Sequence, residues 1–401
     1  MPTSASHSLL SSIRALLWTA PLVMAVNPTT LGVLVSLYAI GYLALCRADV
    51  AWASLRHAPV PLILLFVTGL GLLSSLWAVN PDLAVSRAWK FLLVMLPLAL
   101  LARQCLKLPE PSVKYCARAL IFSVGLAAVL LVIQIYEAFL LAAGSRVLSA
   151  ELVAIKLNVP VAELAIIVWC LPLCLKVTQA ALGCALVVGL TFGLTILAVC
   201  AGDGLAPRIA MGAGALIWLT GYFKPRTAAL VVGIAVIAAH VFALAVVPTL
   251  YRDREITARI GDLSISHRLE VWDTVGTLIH AQPWLGYGLD NSRAIPASAE
   301  ISEITGTPRR IPLYPHTVPL QAQLELGIAG VLGFYSLLFY LLKCSLSMTR
   351  MAAASALAML AAGMSIWCVG YPLWRSAWIA WLGFCAIAIS AVESEHRSQR
   401  G

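Results

Sequence analysis

The chain has 401 residues, of which 61% are hydrophobic and 11% charged, and its mean hydropathy is +0.91. Soluble domains carry about a quarter charged residues, so a water-soluble enzyme is excluded and a lipid bilayer is the solvent this composition calls for. The net charge of +9 is scattered over short connections between apolar runs, which excludes the contiguous basic face that a nucleic-acid partner requires.

The first apolar run, 9–26, contains Arg14 and lacks a small-x-small cleavage site, so it reads as a retained helix and not as a signal peptide. Further runs follow at 29–46, 59–78, 84–102, 116–143, 157–175, 180–200, 205–222, 227–248, 317–342, 351–370 and 374–392, which makes twelve. Most approach the roughly 20 residues that a helix needs to cross a bilayer. The expected fold is an all-α polytopic membrane protein of about twelve transmembrane helices.

Alternate connections carry Arg47 and Arg56, then Arg103, Lys107 and Lys114, then Lys176, then Lys224 and Arg226, then Lys343 and Arg350, and finally Arg397 and Arg400. The positive-inside rule puts these connections and both termini in the cytoplasm. The opposite face then holds the long connection from Pro248 to His316. The expected organisation is helices one to nine over 1–248, a periplasmic loop over 249–316, and helices ten to twelve with a cytoplasmic tail over 317–401. Within the loop, Leu269, Trp272, Val275, Leu278 and Ile279 recur at helical spacing before Pro283, predicting a helix on or near the membrane surface. The turn-rich Trp284–Gly288 follows it.

Ten cysteines, among them Cys46, Cys105, Cys170, Cys174, Cys200 and Cys385, lie in or beside apolar runs, and the loop has none. Buried free thiols are expected, with neither a disulfide framework nor a zinc site. Trp52, Trp77, Trp89, Trp374 and Trp378 stand near helix ends, where an interfacial aromatic belt is expected.

Cations on the face opposite the cytoplasm run against the topological bias, so Arg87, Lys90, Arg146, Lys156, Arg208, Arg268 and Arg375 each need a reason to be there. Snorkelling to head groups is one reason and binding an anion is the other. Arg208 follows Pro207 at the start of an Ala/Gly-rich helix, where free N–H groups and the helix dipole also favour an anion. Its rigid fork suits phosphate. Arg268 opens the loop helix one turn before Trp272, and could equally be a solvated surface arginine. His316 stands at the mouth of the tenth helix, either as an interfacial hydrogen-bonding residue or as a base. No paired carboxylates accompany Asp203, so a metal-dependent transferase is disfavoured and no metal or cofactor is expected.

Three segments together resemble the O-antigen ligase and polymerase superfamily. They are Pro207-Arg208 heading its helix, Arg268-Leu-Glu-Val-Trp272 with the Pro283–Gly288 turn, and Pro315-His316-Thr317 through Leu320, Gln321, Glu325, Gly327 and Gly330. Pro207 and Thr317 depart from the usual pattern of a small polar residue before the arginine and of asparagine or serine after the histidine. The resemblance implies a GT-C-like fold and an inverting, metal-independent transfer of glycan from undecaprenyl diphosphate to an acceptor hydroxyl at the periplasmic face of the bacterial inner membrane. The acceptor expected is lipid A-core, in lipopolysaccharide biosynthesis. A growing glycan (polymerase) or a protein (O-oligosaccharyltransferase) is the alternative, and a lipid-linked oligosaccharide flippase stands further off, because the candidate residues gather at one face and not along a midplane path.

On that resemblance Arg208 and Arg268 hold the diphosphate, and His316 acts as general base. Arg87 and Lys90, three apart on one helical face, guide the donor or merely sit at the interface. Arg146, Trp272 and Gln321 are further expected substrate-binding residues.

Overall fold

The computed structural model describes residues 4–45, 59–143, 147–202, 204–252, 263–302, 306–311 and 313–393. Arg146, Asp203, Cys46, Trp52, the Arg47–Arg56 connection, Arg397 and Arg400 lie outside them. Each of the twelve predicted apolar segments coincides with helix. Among the described residues the only extended pairing is one antiparallel bridge, Ile301 to Pro308.

Eight of these helices are long and apolar enough to cross a membrane, and three more are apolar but shorter, Ser11–Val26, Pro28–Gly41 and Pro59–Ser74. The Leu205–Phe223 helix falls in neither group, since Arg208 and its glycines dilute its hydropathy. The chain is thus an all-α, multi-pass membrane protein.

Two of the predicted segments are interrupted where proline demands it. The Val147–Ile167 helix passes through a 3₁₀ turn, Val168–Cys170, into Leu171–Val177, because Pro172 has no N–H to continue the α ladder. Pro225–Val241 widens into a π turn at Phe242–Val246, just before Pro248 in the Val247–Arg252 helix.

Small residues bring helices together. The Leu205–Phe223 helix packs along Arg350–Val369, and a Cβ on Gly221 would stand 3.2 Å from the Ala354 Cα. Close backbone approach of this kind is what holds helices together where lipid removes the hydrophobic drive. The largest core joins Ser4–Val26, Glu110–Ala143 and Ser376–Glu393, and includes Trp378 and Trp381 with their rings fully buried.

The interfacial belt needs correction. Trp374 and Trp378 are 3% and 1% exposed and belong to the core, whereas Trp89 is 50% exposed. Six of the nine described cysteines are buried, but Cys200 is exposed and Cys344 and Cys368 are half-buried.

The loop helix is present as Leu263–Ala281. Its apolar stripe is covered by protein: Val271, Val275 and Ile279 pack with Ala243, Leu320 and Leu324. The helix is therefore docked on the base of the Val318–Leu346 helix, which carries His316 just ahead of it.

Candidate active site

The Val318–Leu346 helix is broken at Gly327, whose φ of 61° and ψ of −152° are not helical. Two carbonyls and one amide freed by the break are taken by the turn after the loop helix. Tyr287 N–H donates to Leu324 O at 2.9 Å, Gly288 N–H to Glu325 O at 2.8 Å, and Ile328 N–H to Pro283 O at 3.1 Å. A Cβ at Gly327 would lie 2.1 Å from Trp284 O, and one at Gly286 (φ +66°) would lie 2.6 Å from Leu324 O. These two glycines are thus required by a close backbone approach in the left-handed region, not by phosphate binding.

Beneath the turn, Glu325 is a fully buried acceptor. It receives Asp290 N–H at 2.7 Å, Ser292 Oγ at 2.5 Å, Gln321 Nε2 at 3.0 Å and the indole N–H of Trp374. Gln321, 1% exposed, also accepts Leu373 N–H at 2.8 Å. Both ends of its amide are therefore occupied inside the protein. Arg87 binds Asp290 through Nε and Nη2, each at 2.7 Å, and donates to Trp374 O at 2.9 Å. With the Asp290 side chain 3% exposed, this is a buried strut, and Arg293 Nη2 takes the other carboxylate oxygen at 2.7 Å. Lys90, exposed, does not share the strut.

Tyr314, Pro315, His316 and Thr317 are clamped from three sides. Trp272 Nε1 donates to Pro315 O at 2.7 Å, Thr317 Oγ1 to Cys368 O at 2.5 Å, and Tyr314 Oη to Gly370 O at 2.6 Å. Between these anchors His316 adopts φ +60°, a strained backbone that persists only when its surroundings over-determine it. Its ring lies 4.5 Å from that of Tyr314 and 6.3 Å from that of His267, centroid to centroid.

Burial, then the positive charge of Arg268, then His267 hold the His316 imidazole down at about 4, against an ordinary 6.5. The ring is neutral at neutral pH, and its Nδ1 is buried with no hydrogen-bond partner among the described residues. Burial pushes the Tyr314 phenol up, and Arg268 and Arg375 pull it back. A neutral imidazole beside the Arg268 guanidinium can accept a proton from a hydroxyl that reaches its ring while the cation holds an anion.

Of the residues expected at the site, the structure brings together His316, Arg268 and Trp272. Arg208 is engaged by backbone carbonyls: its Nε donates to Val199 O at 3.4 Å, and its Nη2 to Cys200 O at 3.3 Å and Gly202 O at 2.6 Å. The guanidinium closes the C-terminus of the Leu182–Ala201 helix, where a cation complements the dipole, and the residue is exposed. Sequence reasoning singled out Arg375 as a cation needing a reason without giving it a role, and missed Tyr314 and Asp290 as participants. It also missed Glu163, a lone carboxylate inside an apolar run and for that reason alone a functional candidate.

The family model described as O-antigen ligase matches residues 190–335. A Rickettsia conorii protein named "Putative polysaccharide ligase" is 30% identical over 182 residues, 44% of this chain and 44% of that protein. Relatives of the same description from Rickettsia prowazekii and Rickettsia typhi are 29% identical over 187 residues and 34% identical over 120 residues, covering 45% and 29% of their lengths. The chain spans less than half the length of the curated relatives it matches. The resemblance to the O-antigen ligase superfamily is shown over the stretch that contains Arg208, the loop helix, the Pro283–Gly288 turn and the His316–Gly330 segment.

Proposed function

We propose, from the O-antigen ligase character of residues 190–335, that the protein is a ligase-type glycosyltransferase acting between a lipid-linked glycan donor and a lipid acceptor. The observation that carries this reading is the neutral His316, with its buried Nδ1 unsatisfied, set beside Arg268. In the finer form of the proposal the donor is undecaprenyl diphosphate-linked glycan and the acceptor a hydroxyl of lipid A-core. The site faces the periplasm from the inner membrane, with the 249–316 loop as its roof between the 1–248 and 317–401 membrane portions.

His316 takes the proton of the acceptor hydroxyl, and the oxygen attacks the anomeric carbon from the face opposite the leaving group. The bond from carbon to the diphosphate oxygen breaks and its electron pair leaves on undecaprenyl diphosphate. The glycan is thereby transferred with inversion. Arg268 stabilises the charge growing on the leaving oxygen. Arg208 assists through Nη1, the nitrogen that the helix carbonyls leave over. Trp272 fixes the height of His316, while Arg87 and Gln321 hold the floor. Because the donor already carries an activated leaving group, neither nucleotide nor ATP is needed, and positioning supplies much of the rate.

Purified protein incubated with lipid-linked glycan and lipid A-core, in EDTA and without ATP, tests the proposal. Glycosylated lipid A-core is the expected product. Transfer only to a second lipid-linked glycan, or only to protein, would replace the acceptor. No transfer to any of the three would overturn the transferase reading.

A further inference from the structure

The turn after the loop helix and the connection that leaves the Pro59–Ser74 helix are stitched into one body. Trp77 Nε1 donates to Leu285 O at 3.1 Å, Val79 N–H to Tyr287 O at 3.3 Å, and Asn291 Nδ2 to Asn80 O at 3.2 Å. With Pro283 O taken by Ile328 N–H at 3.1 Å, the carbonyls of Pro283, Leu285 and Tyr287 are all occupied by protein donors. What this body turns outward is apolar: Leu76 is 79% exposed, Trp284 73% and Leu285 55%. No residue from 59 to 81 or from 281 to 289 is charged.

This patch continues the outer wall of the membrane bundle. The Pro59–Ser74 and Val318–Leu346 helices lie side by side, since a Cβ at Gly333 would stand 3.5 Å from Val67 Cγ2 and 3.8 Å from the Phe66 ring. Phe66 and Leu73 on the first helix, and Ile328 and Leu332 on the second, are exposed. On the outside of a multi-pass bundle such side chains meet acyl chains. Leu76 N–H donates to Leu73 O at 3.1 Å, and the bond from Ile328 to Pro283 sets Trp284 beside Ile328. Wall and patch are therefore one surface. The first helix has 16 residues, and its rise of about 24 Å falls short of the roughly 30 Å of a hydrocarbon core. Apolar chain beyond its end has to fill the remainder, and a turn whose carbonyls are already paired can enter lipid at little cost. An indole suits the boundary between acyl chains and head groups.

We propose that Leu76, Trp284 and Leu285 form a lipid-immersed knuckle, seated among the acyl chains of the leaflet on the loop's side of the membrane. The partner of this surface is bilayer lipid, not a second copy of the chain. The turn completes the span that the short helix leaves open, and it holds this edge of the loop at the head-group plane. The placement is independent of the chemistry assigned to His316.

The test uses the full chain in phosphatidylcholine nanodiscs, which leave both faces open to water. Trp284→Phe removes one indole of twelve at an exposed position, so the parent fluorescence minus that of the variant reports Trp284. Phosphatidylcholine brominated on its acyl chains is expected to remove most of this difference signal, and aqueous iodide little of it. Because Trp77 is bonded to the same turn, Leu76→Trp in the Trp284→Phe background supplies an independent reporter, and the same pattern is expected. Quenching of either reporter by iodide and not by brominated lipid would put the knuckle in water and overturn the proposal. Protection of either reporter from both quenchers would also overturn it, because protein would then cover the surface.

Discussion

The indole of Trp272 reaches across from the loop helix to the carbonyl of Pro315 at 2.7 Å, so the helix that carries Arg268 also sets the height of His316. Base and cation are referenced to one rigid element. Trp272→Phe keeps the ring and removes only this N–H. Transfer is expected to fall about tenfold or more while melting changes little, since misplacement of a reacting group by about 1 Å costs up to about 10²-fold. Parallel turnover and thermal-melting assays check it, and full activity in the phenylalanine variant would remove Trp272 from the positioning of His316.

The acidity of His316 gives a pH signature. Burial, Arg268 and His267 hold its pKa at about 4 in the folded site, below the roughly 6.5 of an unfolded chain. Above about pH 6.5 both states are neutral and the shift has no effect on stability. Between about 6.5 and 4 the unfolded chain takes up a proton that the folded one refuses, so stability declines as pH falls through that window. The profile of kcat/KM, which reports the free enzyme, should stay level down to about pH 5 and fall with a limb near 4. A limb near 6.5 would show an unperturbed imidazole. His316→Gln should abolish detectable transfer, and retention of most activity would make the residue a positioner of substrate.

Gly327→Ala probes the seam between turn and helix. The new Cβ would be forced against Trp284 O in a backbone region that alanine avoids, at about 1–3 kcal/mol of strain before any loss of the seam. A drop of several degrees in melting temperature and loss of transfer are expected. An unchanged melting curve would mean that the break at 327 is not under constraint.

Arg208→Lys separates two roles. The lysine keeps the charge but cannot serve several carbonyls and a phosphate together. Transfer is expected to fall at least about tenfold, or roughly 1.4 kcal/mol of transition-state stabilisation. Lower stability with normal turnover per folded molecule would confine Arg208 to closing the Leu182–Ala201 helix.

Hydropathy made the membrane helices legible, because in lipid an apolar run must satisfy its own backbone and helix is the solution open to it. The loop helix was legible from its spacing, but not its docking: a stripe of Val271, Val275 and Ile279 looks the same whether it meets lipid or Leu320 and Leu324. Motif residues were harder to sort. Gln321 and Arg87 are polar residues of the kind that bind substrate, yet each is consumed by an internal partner distant in sequence, Leu373 for one and Asp290 for the other. No local pattern reveals such partners. The reverse holds for Arg375, whose charge comes to act on Tyr314 only when the 368–375 turn folds against the mouth of the Val318–Leu346 helix.

The break at Gly327 also decides how the site can open. Tyr287 and Gly288 are stitched to the carbonyls that the interrupted helix gives up, and peeling the turn away would leave buried donors and acceptors unpaired at about 1–3 kcal/mol each. That edge of the roof is a welded rim, not a hinged cover. On the transferase reading proposed above, that welded margin would be the fixed jaw against which a lipid-tailed donor is held.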